Sequence, residues 1–316
     1  MMYSVSVKNI VKNYGSVKAV DAVSFDVNKG ELFGLIGPDG AGKTSVFRIL
    51  TTLLLADSGT ATVEGFDVVK DYRAIRNKVG YMPGRFSLYQ DLTVEENLNF
   101  FATVFGTTLQ ENYVLIKDIY EQIKPFSSRR AGKLSGGMKQ KLALCCALIH
   151  KPDVLFLDEP TTGVDVVSRK EFWDMLARLK QQQITIVVST PYMDEANLCD
   201  RIALIQAGRI MSIDQPGHIV QSFPKQLFAA KADNIYKLLQ DLRSDTDIES
   251  CYTFGEYLHF TLHAADSSEQ GVAEIAGKYH PEGFEVKKVT PNIEDCFIRL
   301  MQAQQNKGTL KMTADE

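Results

Sequence analysis

Short apolar runs separated by amphipathic stretches dominate the first two thirds of the chain. Residues 32–36, 79–82, 154–157 and 184–189 are apolar almost throughout, the pattern of strands covered on both faces. Residues 3–11 and 22–27 alternate instead, as short strands around a turn at Asn13-Tyr14-Gly15. Asp57-Ser58-Gly59-Thr60 reads as a turn, followed by a strand at 61–63 and another turn. Thr93 and Glu96 form a capping box that opens a helix with Leu98, Phe101, Ala102 and Phe105 on one face. A second helix over 112–123 is closed by Pro125, and further helices are expected at 139–149, 168–182 and, briefly, 193–200. Residues 201–205 and 208–211 read as a closing hairpin. Buried strands alternating with helices predict a parallel α/β sheet.

Beyond Pro216-Gly217 the pattern changes. Strands at 226–232, 248–254, 257–263 and 284–289 and helices at 234–242 and 267–280 give the order β-α-β-β-α-β. A last helix follows Pro291. That order predicts a small ferredoxin-like α+β domain over 217–303, after a larger domain over 1–216 whose helical part covers about 85–150. Residues 304–316 form a polar tail expected to fray.

Bulk properties narrow the setting. At 316 residues the chain is long for one core. A net charge of −4 argues against a nucleic-acid-binding surface covering the protein. Five cysteines form no C-x-x-C pair, which fits a reduced, cytosolic compartment. The start has no basic-then-apolar leader, so no signal peptide is expected. No uncharged apolar run approaches a membrane span, and any work at a membrane requires another chain to cross it.

Candidate chemistry starts at Gly37-Pro38-Asp39-Gly40-Ala41-Gly42-Lys43-Thr44-Ser45, between an apolar strand and a helix. G-x-x-x-x-G-K-[ST] in that context is a phosphate-binding loop. Its glycines let backbone N–H groups point inward and the helix adds its positive end. Lys43 then reaches the β- and γ-phosphates of a nucleoside triphosphate, and Thr44 binds Mg²⁺ through its hydroxyl. The strand at 154–157 runs into Asp158-Glu159, where an α/β sheet places its ligands. Asp158 is expected to hold Mg²⁺ through its water shell and Glu159 to take a proton from the attacking water. Ser135-Gly136-Gly137, in Leu134-Ser135-Gly136-Gly137-Met138-Lys139-Gln140, opens a helix and supplies a second anion-binding terminus. Two such termini far apart on one chain make sense when two copies of the domain face each other head to tail, each covering the other's nucleotide.

Together these residues resemble the ATP-binding subunits of ABC transporters. Residues 37–44 look like the Walker A loop, 154–159 like Walker B, and 134–140 like the LSGGQ signature with Met138 for its Gln. Thr162-Gly163-Val164-Asp165 is similar to the D-loop, which places Asp165 at the nucleotide, and Tyr14 falls at the adenine-stacking position. By its own pattern Tyr14 is either a plain turn aromatic or a base-stacking one. Pro291-Asn292-Ile293-Glu294-Asp295-Cys296-Phe297 resembles the closing motif of the subfamily paired with ABC-2-type export permeases. The resemblance implies a P-loop α/β fold and an ATPase that dimerises around two ATP molecules with Mg²⁺. It also implies a peripheral position on the inner face of the cell membrane. The permease would be touched through residues 85–98 and the helical region to about Arg130.

Two positions depart from the family pattern. Its Gln after Met82-Pro83 is here Gly84, and its switch His after Ser189-Thr190 is here Pro191. Gln90 stands six residues further on, and none of the histidines at 150, 218, 259, 263 and 280 adjoins that strand end in sequence. Each missing group costs about 10²–10³ in rate where it acts, while Lys43, Thr44 and Asp158 preserve binding. The expectation is a slow site of its own, with the chain as the weak-site half of a heterodimer, favoured over a homodimer. Two further readings are a non-hydrolytic regulatory subunit, against which Glu159 argues, and a soluble ABC protein acting on ribosomes or DNA. The latter lacks support, because the chain has neither a second ATPase domain nor a basic linker. Cys145, Cys146 and Trp173 are expected in cores and Arg129-Arg130 in a solvated run. Asp39, at a position usually occupied by Asn, adds negative charge near the phosphates.

Overall fold

The computed structural model describes residues 3–263 and 284–312. It divides into two compact units, Met1–Gly217 and His218–Glu316. The first unit contains a six-stranded sheet built from β3 (Leu32–Ile36), β6 (Val79–Met82), β7 (Val154–Asp158), β8 (Thr185–Thr190), β9 (Arg201–Gln206) and β10 (Arg209–Asp214). Their spatial order is β10-β9-β3-β8-β7-β6. All neighbours run parallel except the hairpin β9–β10. Every residue of β3, β7 and β8 is buried, which is why these strands are apolar runs rather than alternations.

A second, antiparallel sheet has the order β2-β1-β4-β5, from β1 (Val5–Tyr14), β2 (Val17–Val27), β4 (Ser58–Val63) and β5 (Phe66–Asp67). The two sheets share one apolar core, in which Phe25 stacks on Phe33 with centroids 5.3 Å apart. The alternating segments are longer than expected. Tyr14 ends β1 instead of sitting in the turn, which tightens to Gly15 at φ +59°. The Asp57–Thr60 turn is also corrected, since β4 already begins at Ser58. Gly59, at φ +88°, makes this register workable, because a Cβ there would lie 2.3 Å from the Asn9 carbonyl oxygen.

Helix α1 (Lys43–Leu50) follows β3, and α2 (Tyr72–Lys78) leads into β6. Between β6 and β7 lie α3 (Val94–Val104), α4 (Tyr113–Ile123) and α5 (Gly136–Leu148). The Thr93 capping box is formed in both directions: Glu96 N–H donates to Thr93 Oγ1 at 3.1 Å, and Thr93 N–H to Glu96 Oε2 at 2.7 Å. Helix α5 begins three residues earlier than the periodicity indicated because Ser135 is its N-cap. Helix α6 (Val166–Gln181) is likewise capped by Asp165. Cys145, Cys146 and Trp173 are buried, as their positions suggested.

In the second unit, β11 (Leu227–Lys231), β12 (Ile248–Phe254), β13 (Tyr257–Leu262) and β14 (Glu285–Val289) form an antiparallel sheet in the order β12-β13-β11-β14. Helix α8 (Ile235–Ser244) joins β11 to β12, which gives the ferredoxin-like arrangement over the described residues. The helix expected at 267–280 lies outside them. A helix, α7 (Pro216–Gln221), occupies the stretch where only a change in pattern was expected. Helix α9 (Ile293–Met312) carries through 304–312, so those residues extend a helix instead of fraying as a tail. Asn292 and Asp295 cap its start reciprocally, at 2.8 and 3.0 Å.

Candidate nucleotide site

The register of the parallel sheet decides which loops meet. Ile36 lies beside Thr190, Asp158 beside Ser189, and Met82 beside Leu157. The loops leaving β3, β6, β7 and β8 therefore share one edge, the C-terminal edge where such sheets place ligands.

The loop after β3 depends on absent side chains. A Cβ on Gly37 would stand 2.1 Å from the Ile205 carbonyl oxygen, and one on Gly42, at φ +103°, 2.2 Å from that of Ala19. Gly42 is the N-cap of α1, so the chain turns straight from loop to helix. Lys43 is buried, and its ammonium folds back into the loop, donating to the carbonyls of Gly37 at 2.7 Å and Pro38 at 3.0 Å. Asp39 and Gly40 are exposed at the tip. The structure gives no account of a role for Asp39.

The two carboxylates after β7 come to this loop. Thr44 Oγ1 donates to Asp158 Oδ1 at 3.2 Å, and Lys43 Nζ lies 3.1 Å from Glu159 Oε1. Ser189 ties both acids together: its hydroxyl donates to Asp158 Oδ1 at 2.7 Å and accepts from the Glu159 N–H at 3.1 Å. Its role was not read from the sequence, although a polar residue closing an apolar strand was the available signal. Glu159 has φ +51°, a left-handed conformation that turns its side chain out of the strand direction. Thr44 and Asp158 form a hard-oxygen donor set that fits Mg²⁺. A hydroxyl and one carboxylate are too few ligands alone, so the ion's remaining positions suit water and phosphate oxygens.

Gly84 and Pro191 occupy the same edge. A Cβ on Gly84 would lie 3.0 Å from the Asp158 carbonyl oxygen and 3.8 Å from Glu159 Cβ, so a longer side chain there starts beside both acids. Gln90 does not substitute: its carbonyl accepts the Gly132 N–H at 2.9 Å, which ties it to the segment before α5. His150 Nε2 lies 3.1 Å from the Val79 carbonyl, at the opposite end of the sheet. Among the described histidines, His259 lies in the second unit and pairs with Asp295.

Ser135, Gly136, Gly137 and Asp165 form a second cluster. Ser135 Oγ caps the Met138 N–H at 3.4 Å, and Asp165 Oδ1 caps the Ser168 N–H at 3.0 Å. That backbone hydrogen bond lowers the Asp165 carboxyl below its ordinary range. A Cβ on Gly137 would meet Ser168 Oγ at 2.8 Å, so the helix starts of α5 and α6 pack tightly. Ser135, Gly136 and Asp165 are exposed. Tyr14 does belong with the loop: its ring is half exposed and its hydroxyl lies 3.3 Å from Ser45 Oγ.

A groove of about 460 Å³ opens between the segment after α1, the end of α2, β6, α3 and α5. Tyr81, Met82 and Pro83, which line it, lead directly to Gly84. Burial, then the charge of Asp158, pushes the Tyr81 hydroxyl up to about 12, so it stays a proton donor. No local pattern signals this groove, because its walls come from elements far apart along the chain.

Comparison with known proteins gives a consistent picture. Residues 20–162 match the ABC transporter family. The chain is 42% identical over 288 residues to the probable multidrug ABC transporter ATP-binding protein YbhF of Escherichia coli (strain K12), covering 90% of this chain and 49% of that protein. It thus spans about half the length of that relative. It is 38% identical over 300 residues to Nod factor export ATP-binding protein I of Burkholderia thailandensis, covering 93% of this chain and 95% of that one. A solved structure of the ATP-binding subunit of an ABC transporter superposes with a TM-score of 0.63 at 25% identity, covering 69% of this chain and 92% of that one.

Proposed function

Because the chain belongs to the ATP-binding proteins of ABC transporters, we propose that it binds ATP with Mg²⁺ at residues 37–45 and hydrolyses it to drive a membrane permease in export. The observation that carries this reading is the convergence of Lys43, Thr44, Asp158 and Glu159 on one glycine loop, at 3.1 and 3.2 Å. Lys43 exchanges Glu159 for the β- and γ-phosphates, while the loop amides and the N-terminus of α1 take the remaining charge. Thr44 and Asp158 would hold Mg²⁺, which when bound would supply positive charge against that developing on the phosphates. Glu159, released from Lys43, accepts the proton of the attacking water. Tyr14 stacks on the base.

The exposed Ser135 and Gly136, with the half-buried Gly137, cover the nucleotide of a second ATP-binding subunit, with Asp165 beside them. Gly84 and Pro191 leave the chain's own site without two side chains, which supports its reading as the weak-site half of a heterodimer. Its partners are that second subunit and an ABC-2-type permease, met through the face around the Tyr81–Pro83 groove. No described helix is long and apolar enough to cross a membrane, and the protein sits peripherally on the inner face of the cell membrane. The name of the Nod factor export relative supports the export direction.

Titration of the purified chain with a fluorescent ATP analogue, alongside Lys43→Ala, tests the core of the proposal. Binding lost in the variant by a hundredfold or more, as for a charge-assisted contact removed from phosphate, is the expected result. Absence of binding in the parent overturns the proposal. Turnover of the isolated chain at about 1 s⁻¹ or above overturns the weak-site part alone.

A further inference from the structure

One buried carboxylate near the site has no part in the chemistry above. Glu195 is 2% exposed and sits in the 3-10 turn Met193–Leu198 that follows β8. Its two oxygens face different ways. Oε1 accepts from Thr161 Oγ1 at 2.8 Å and from Arg169 Nε at 3.1 Å; Oε2 accepts from Thr190 Oγ1 at 2.5 Å. Both threonines are themselves buried.

The partners belong to three segments of the site. Thr190 ends β8: its carbonyl accepts the Gly37 N–H of the phosphate loop at 3.2 Å, and its hydroxyl accepts the Tyr192 N–H at 3.1 Å. Thr161 comes two residues after Glu159, at the head of the exposed stretch that leads to Asp165. The Thr162 N–H returns to the Glu159 carbonyl at 3.2 Å. Arg169 lies in the first turn of α6, with its guanidinium 4.2 Å from the Tyr192 ring centroid and Nη2 3.2 Å from Asp194. A charged group removed from water is stable only when paired and hydrogen-bonded. Glu195 meets this need with groups from both sides, so neither side shifts without disturbing the carboxylate.

We propose that Glu195 is a positioning residue that couples the phosphate loop and the Pro191 segment to residues 161–169, the stretch ending in the exposed Asp165. With proline at 191, the switch segment offers no side-chain donor of its own there, and Thr190 carries the connection. Nucleotide contact at Gly37 is thereby passed through Thr190 and Glu195 to Thr161 and the start of α6. The inference rests on the ATP-binding reading of the loop and adds how occupancy of that loop reaches the surface around Asp165.

Hydrogen–deuterium exchange on the full chain, with and without MgATP, tests it. In the parent, ATP is expected to slow exchange in both 190–199 and 161–169. Thr161→Val, which keeps the side-chain volume, and Glu195→Gln are expected to bind ATP within about twofold of the parent. Their ATP-induced protection of 161–169 should fall by about tenfold, the scale of one charge-assisted hydrogen bond. Thr161→Ser should restore it, which a purely volumetric role does not predict. ATP-bound parent without protection at 161–169, or Thr161→Val with parental protection there, overturns the coupling while leaving ATP binding intact. A parent that binds no ATP overturns the site reading itself, and the two failures are separated by the binding titration.

Discussion

Lys43 pairs with Glu159 across the mouth of its own loop, Nζ to Oε1 at 3.1 Å, so the two groups assigned to phosphate and to water neutralise each other. Lys43 is 3% exposed and Glu159 22% on their side chains. The pair is sheltered enough to hold the base away from solvent, yet must open for ATP.

The pair makes Glu159→Gln informative in two directions. Turnover should drop by about 10²–10⁴, the usual worth of a positioned base. ATP affinity should rise by roughly three- to tenfold, because Lys43 no longer leaves a carboxylate to meet phosphate. Phosphate release and nucleotide titration measure the two effects; parental turnover in the variant would remove Glu159 from the chemistry.

The loop glycines differ in what they tolerate. Gly42→Ala combines φ +103° with a 2.2 Å approach to the Ala19 carbonyl, and should cost about 3 kcal/mol or more together with ATP binding. Gly40→Ala also meets a positive φ of +76° but has open space around it, so about 1 kcal/mol is expected. Thermal or urea unfolding of the two variants checks the order, and equal losses would contradict it.

Restoring the family's side chains should speed the site. Pro191→His on the β8 loop is expected to raise turnover by about tenfold or more, and the pair with Gly84→Gln by up to about 10²–10³. Gly84→Gln alone should do less, since its Cβ stands 3.0 Å from the Asp158 carbonyl and the loop must yield by a few tenths of an ångström. No gain from the double variant would mean that neither position limits hydrolysis.

The second unit contains an acid-sensitive anchor. Asp295 accepts from His259 Nδ1 at 2.7 Å, Tyr252 Oη at 2.8 Å and the Asn292 N–H at 2.8 Å. Burial works against its ionisation, but the bonds from His259, Asn292 and Tyr252 outweigh it and hold the carboxyl below its ordinary 3.8. A depressed carboxylate stabilises fully above the unfolded value and loses that contribution as pH falls through the folded one. Acid unfolding of this unit should therefore set in below about pH 4. Asp295→Asn should be less stable at neutral pH by about 3 kcal/mol, with a flatter acid limb. Circular dichroism between pH 5 and 2.5 reads both, and an unchanged acid limb would assign the transition elsewhere.

What the chain alone determined is chiefly local. Strand β6 and the Thr93 capping box follow from apolar runs and from side chains bonding backbone three residues away, interactions that any short window contains. The phosphate loop was legible for the same reason, since Gly37, Gly40, Gly42, Lys43 and Thr44 stand within eight consecutive residues. Composition did not fix the lengths of β1 and β4, because register across a sheet depends on the partner strand, and Gly59 shows its purpose only against Asn9. Tertiary structure alone decided that Ser189 holds both acids, that Glu195 spans Thr161 and Thr190, and that Lys43 meets a carboxylate far along the chain. These contacts exist because parallel strands in the order β3-β8-β7-β6 bring four loops to one edge. Strand order is set by how the whole sheet buries its apolar faces, a sum over distant residues that no local pattern contains.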